Sequence, residues 1–137
     1  MSRMATWEDL VTYIRRSYEV IRVEPDEIRI NIRWGTEEDE EERTQMVVVA
    51  REVLDGQEWV QLAAPFARVD EVALHAVLSE IGNTTVVGGA VVMGDYLVFR
   101  HSLPLVNLDI NEFVDPLELV TGSADLLERH FIGRDDY

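Results

Sequence analysis

Two dipeptides, Asp55-Gly56 and Gly94-Asp95, constrain this chain more than anything else in its sequence. Each sits between runs rich in β-branched and aromatic residues. A turn that short can join only antiparallel neighbours, whereas parallel strands need a long crossover. Gly94 comes first in its pair, as a type II′ hairpin turn requires. The two turns predict hairpins that join Thr44–Val53 to Glu58–Ala64 and Thr84–Met93 to Tyr96–Leu103. Pro65 and Pro104 are expected to end the returning strands, because proline has no N–H to give to a ladder.

Other segments fill in the sheet and its cover. From Glu27 to Trp34 the sequence alternates, with Ile28, Ile30, Ile32 and Trp34 facing one way and Glu27, Arg29, Asn31 and Arg33 the other. That is a half-buried strand. Val20–Val23 reads as a short strand before it, with Pro25-Asp26 as the turn. Helical spacing appears in three places. Thr6 caps a first helix whose stripe is Trp7, Leu10, Val11, Ile14 and Tyr18. Asp70–Ile81 carries Leu74, Val77, Leu78 and Ile81 on one face, with Gly82 placed as its C-cap. The last stripe, Phe113, Leu117, Val120, Ala124, Leu127 and Phe131, runs through Pro116. That proline predicts a break, with a main helix starting near it behind Asp115. Gly122 and Ala124 are expected to let this helix pack closely.

The chain has 137 residues, enough for one domain with its own core. Residues 1–137 are read as a single α+β domain, an antiparallel sheet of five to six strands packed against helices. Residues 35–43 form an acidic loop and 133–137 a flexible tail. The N-terminus has no apolar stretch of signal-peptide length, and the apolar run 86–93 is too short to cross a bilayer. A cytoplasmic protein is expected.

A search for chemistry returns little. There is no cysteine, so no disulfide, thiolate metal site or cysteine nucleophile. All twelve basic residues are arginine, which removes lysine-based covalent chemistry. His75, His101 and His130 lack metal-ligand spacing and read as structural or exposed. Thr121-Gly122-Ser123-Ala124-Asp125 is not a nucleophile elbow, and no glycine cluster matches a phosphate loop. Gly88-Gly89 reads as a bulge or a flexible edge. The run Glu37–Glu42 is contiguous and contains no glycine, so it reads as a solvated connection and not as a calcium loop. No catalytic, cofactor or metal site is expected.

The net charge of −15 argues against binding nucleic acid or an anionic membrane. What remains is protein binding. Trp34, Trp59, Tyr96 and Phe99 lie on predicted strands. Such aromatics usually belong to a core, but a domain this small leaves room for one or two to anchor a binding or dimer surface.

Several of these segments together resemble a known family. Leu78-Ser-Glu-Ile-Gly-Asn83, the glycine-containing strand and hairpin at Gly94-Asp95, His101-Ser-Leu-Pro-Leu105, Leu108-Asp109 leading to Phe113, and Ala124-Asp125-Leu126-Leu127 are similar to the type III secretion chaperone-like domains. The likeness is specifically to the bacterial YbjN family. Arg43-Thr-Gln-Met-Val47 looks like that family's Arg-Ser-Gln-x-Val strand entry, and the resemblance spans about residues 7–131. It implies an α-β-β-β-α-β-β-α order, a homodimer and no enzymatic activity. Secretion chaperones of this shape hold a partner segment extended along apolar patches, and YbjN-type proteins are described as regulators of sensory transduction.

The expectation is therefore a homodimeric, non-enzymatic protein-binding module that is chaperone-like or regulatory. Two alternatives stay open: an acidic regulator that sequesters a basic partner, and a small-ligand binder or enzyme whose site is assembled from distant residues.

Overall fold

A computed structural model of the chain describes residues 6–34, 43–85, 87–133 and 136–137. The acidic run Glu37–Glu42 lies outside them. The order is α1 (Trp7–Ser17), β1 (Glu19–Glu24), β2 (Glu27–Trp34), β3 (Arg43–Leu54), β4 (Gln57–Arg68), a 3₁₀ turn (Val69–Glu71), α2 (Leu74–Thr84), β5 (Gly89–Met93), β6 (Tyr96–Pro104) and α3 (Ile110–Phe131). The six strands form one antiparallel sheet in the order β1-β2-β3-β4-β6-β5. This is the expected α+β class. It has one more strand before the middle helix than the family resemblance implies.

Both hairpin turns have the backbone their residues demand. Asp55 and Gly56 take φ of 52° and 76°, the pair of left-handed residues that defines a type I′ turn. Gly94 has φ of 63°, and Asp95 stays on the ordinary side, as type II′ requires. Gly88 is glycine for a different reason. Its φ is 87°, and a Cβ there would sit 2.6 Å from Phe99 Cε1. The position therefore admits the Phe99 ring edge only because no side chain stands in the way.

One face of the sheet carries Ile28, Ile30, Val47, Val49, Val60, Leu62, Ala64 and Phe99, and the helices cover that face. α1 contributes buried Trp7, Leu10 and Ile14, starts with Thr6 Oγ1 accepting from the Asp9 N–H, and is pinned by Trp7 Nε1 donating to Pro25 O. The stripe Phe113, Leu117, Val120, Ala124 and Leu127 of α3 is buried against the middle strands. Tyr13 of α1 meets Phe113 of α3 edge-on, so the two helices share one layer.

Several boundaries differ from expectation. β5 starts at Gly89 and not at Thr84, which instead ends α2. β4 passes Pro65 and ends at Arg68, with a bulge between Pro65 and Ala67. The Pro65 carbonyl points toward β3, where Gln45 Nε2 donates to it at 2.8 Å, so the missing N–H also falls on that side. The β3–β4 ladder has already ended there, at Val48↔Ala63, and the proline costs no ladder bond. The middle helix starts at Leu74 after a separate 3₁₀ turn, and Gly82 lies inside it, with Thr85 as the C-cap. α3 is continuous through Pro116. Its N-terminus is at Asp109, whose N–H donates to Glu112 Oε1. Pro116 leaves only the Glu112 carbonyl, at an exposed first turn, without its intrahelical donor. Gly122 is exposed, and a Cβ would meet nothing within 4 Å, so it serves no close packing. Ala124 is fully buried.

Candidate functional site

No helix covers the other face of the sheet, yet its centre is apolar. Strand alternation and register place Met46, Val48 and Ala50 of β3, Ala63 and Pro65 of β4 and Val98 of β6 there. Ala63 and Val98 are buried there. These residues floor an open groove of about 580 Å³, rimmed by Glu27, Arg29, Met93 and Tyr96. Gln61 lies in the same floor. It is only 6% exposed, and its side-chain amide makes no hydrogen bond among the described residues. Its amide atoms still reach solvent at the groove floor, so an occupant's peptide group would find a hydrogen-bonding side chain there. Across the face, the register sets Arg29, Val48, Ala63 and Arg100 in one row. This puts an arginine on each side of the apolar centre. Arg29 is paired with Glu27, while Arg100 is exposed and has no ion pair among the described residues.

The β3–β4 ladder ends at Val48↔Ala63, so Met46 and Pro65 line the groove where the two strands are no longer paired. Polar side chains brace the split from the helix side. Gln45, wholly buried, donates from Nε2 to Met46 O and Pro65 O, and its Oε1 has no hydrogen-bond partner. Beside it Arg43 makes a buried ion pair with Asp125 of α3 at 2.8 Å and lies 3.6 Å from Glu128. Arg129 holds the other Asp125 oxygen at 3.0 Å. Glu128 Oε2 accepts the N–H groups of Asp136 and Tyr137 at 2.8 and 2.9 Å. Tyr137 then crosses to the groove, where its ring meets Tyr96 edge-on and its hydroxyl donates to Glu71 at 3.0 Å. Residues 136 and 137 belong to the tail expected to be flexible, and here both hydrogen-bond to Glu128. The signal for this was a glutamate at a buried position of the α3 stripe.

A second apolar surface lies at one sheet edge. β1, the other edge, is Glu-Val-Ile-Arg-Val-Glu, with charges at Glu19, Arg22 and Glu24. β5 is Gly-Ala-Val-Val-Met with no charge or proline, an edge without the usual protection against pairing with another strand. Val92 is 57% exposed there. Next to it α2 buries only Val77 and leaves Leu74 and Leu78 41% and 54% exposed. The leucine stripe of the sequence is real, but its two leucines face outward while Val77 and Ile81 pack inward.

The four aromatic candidates scatter. Tyr96 stands at the groove, with Arg68 over its ring at 5.4 Å. Trp59 is half-buried on the same face, toward the other end of β4. Trp34 ends β2 opposite Arg43, and its side chain lies outside the described residues. Phe99 is wholly buried beneath Gly88, so it belongs to the core and not to a binding surface. Sequence reading missed Met46, Val48, Gln61, Ala63 and Val98 because each is small or unremarkable alone. Only the register of three strands makes them a surface.

Catalytic or metal geometry does not emerge among the described residues. No group of three or more His, Asp or Glu side chains converges on a cation position. His75 and His130 are exposed and His101 is half-buried on β6. His130 shares a recess of about 210 Å³ with Glu80 without a hydrogen bond. A cleft of about 390 Å³ between Tyr18, Ile32, Arg33 and Leu117 contains no histidine. Burial and the neighbouring Tyr13 push the Tyr18 hydroxyl up to about 12, so it stays protonated at neutral pH. No helix among the described residues is long and apolar enough to cross a membrane. No protein-family model matches the chain, and no curated protein matches it in sequence.

Proposed function

We propose that this protein is a non-enzymatic, cytoplasmic protein-binding module that works as a homodimer and takes an extended apolar segment of its partner along the uncovered sheet face. The observation that carries this reading is the open apolar groove over Met46, Val48, Ala63 and Val98, with the solvent-accessible amide of Gln61 in its lining. An extended chain offers alternate side chains to such a floor and a peptide group to the glutamine. This is the mode of action that the likeness to YbjN and secretion chaperone-like domains suggests. The strongly acidic chain also disfavours nucleic acid as the partner. The experiment is site-specific photo-crosslinking in the source lysate, with the crosslinker at Met46 or, as control, at exposed Thr12. A protein captured from position 46 alone is the expected result; equal or absent capture from the two positions rejects the groove.

The dimer is supported by a different surface. Continuing the sheet across β5 would satisfy its free backbone groups and cover Val92, Leu74 and Leu78. Light scattering over a range of concentrations should give twice the chain mass of 15.7 kDa. Val92→Arg combined with Leu78→Glu should return the monomer. A monomer at every concentration in the parent protein would refute the dimer.

A further inference from the structure

We propose that residues Asp136 and Tyr137 are a built-in competitor for the sheet-face groove, a strap held by Glu128 that a partner segment must displace. The inference rests on the groove being the binding site and adds how access to it is controlled. Glu128 is the anchor. It is wholly buried on α3 and accepts two successive backbone N–H groups, from Asp136 and Tyr137, on one carboxylate oxygen. Charged acceptors make the stronger hydrogen bonds, and a buried carboxylate left without them is costly.

Beyond the anchor, the strap reaches the groove. Asp136 and Tyr137 both line it, and Tyr137 closes its Tyr96 end by an edge-on ring contact at 6.1 Å and by its hydroxyl on Glu71. The Tyr137 hydroxyl is pushed up to about 12, by burial first and then by the Glu71 hydrogen bond, so both contacts persist at neutral pH. Tyr137 thus sits where an aromatic side chain of an incoming segment would sit. Its contacts, among them two amide hydrogen bonds, the hydroxyl on Glu71 and one half-buried ring, lie outside the strand ladders and can open without unfolding the sheet. A site that is open only part of the time binds more weakly by that fraction.

The test uses the full chain and Nile red, a neutral apolar dye, as the probe of the groove. Amide hydrogen exchange should find the Asp136 and Tyr137 N–H groups protected roughly tenfold or more over an unstructured peptide. Tyr137→Ala should raise the dye affinity roughly threefold or more. Met46→Glu, at a half-buried position on the floor, should lower it in both backgrounds with an unchanged circular dichroism spectrum. Unprotected amides, or an unchanged or lower affinity in Tyr137→Ala while Met46→Glu still weakens binding, would overturn the strap and leave the groove standing. Dye binding that a folded Met46→Glu protein retains in full would remove the groove, and the strap with it.

Discussion

The buried charges are where single residues matter most. Asp125 faces Arg43 from one side and Arg129 from the other, with Glu128 next to it. Removing one member of such a cluster strands the rest without compensation. Asp125→Ala should therefore cost about 3 kcal/mol in urea denaturation, whereas Arg43→Met paired with Asp125→Leu should recover most of that loss. Sequence reading could not find this cluster: its two halves are 82 residues apart, and a polar residue looks like surface until its partner is placed. Tyr18 gives a second residue-scale prediction. Its hydroxyl rises from about 10 to about 12 on folding. The stability tied to its protonated form is thus complete below the unfolded value and lost as pH climbs through the folded one. Denaturant midpoints should fall between pH 10 and 12, and Tyr18→Phe should flatten part of that decline. An equally steep fall in the variant would assign the effect elsewhere.

The elements differ in how firmly they are held. β4 lies between β3 and β6, and its residues are buried on both sheet faces, whereas α2 has Val77 alone fully buried and touches the edge strand. Local opening follows burial, so α2 amides should exchange roughly a hundredfold faster than those of β4 at low protein concentration. If a second copy covers Leu74 and Leu78, α2 protection should rise with concentration while that of β4 stays constant. Concentration-independent exchange in α2 would argue against that interface. The helix itself was legible from its apolar spacing. Its weak docking was not, because an amphipathic stripe states that a face wants cover and not whether this domain provides it. The same limit explains Pro65 and Pro116. Each breaks a rule of local structure where the setting lowers the penalty, one at a ladder that has ended and one whose orphaned carbonyl, that of Glu112, lies in an exposed first helical turn.

For the molecule as a whole, the antiparallel sheet, the helix stripes and the absence of cysteine and lysine chemistry were settled by the sequence itself. Turn residues, side-chain period and composition act over a few residues, so their consequences can be read locally. Strand order, the parting of β3 from β4, the apolar face opposite the helices and the fastening of Tyr137 were decided only by the tertiary structure. Each depends on which distant residues become neighbours. Val48, Ala63 and Val98 are ordinary strand residues in their own segments and become a groove floor only when three strands settle in one register. Likewise Glu128 is one acidic residue among 27 until folding buries it against the backbone it holds. What the sequence announces most loudly is its charge of −15. The centre of the proposed binding surface is assembled instead from uncharged strand residues, because only the register brings them together.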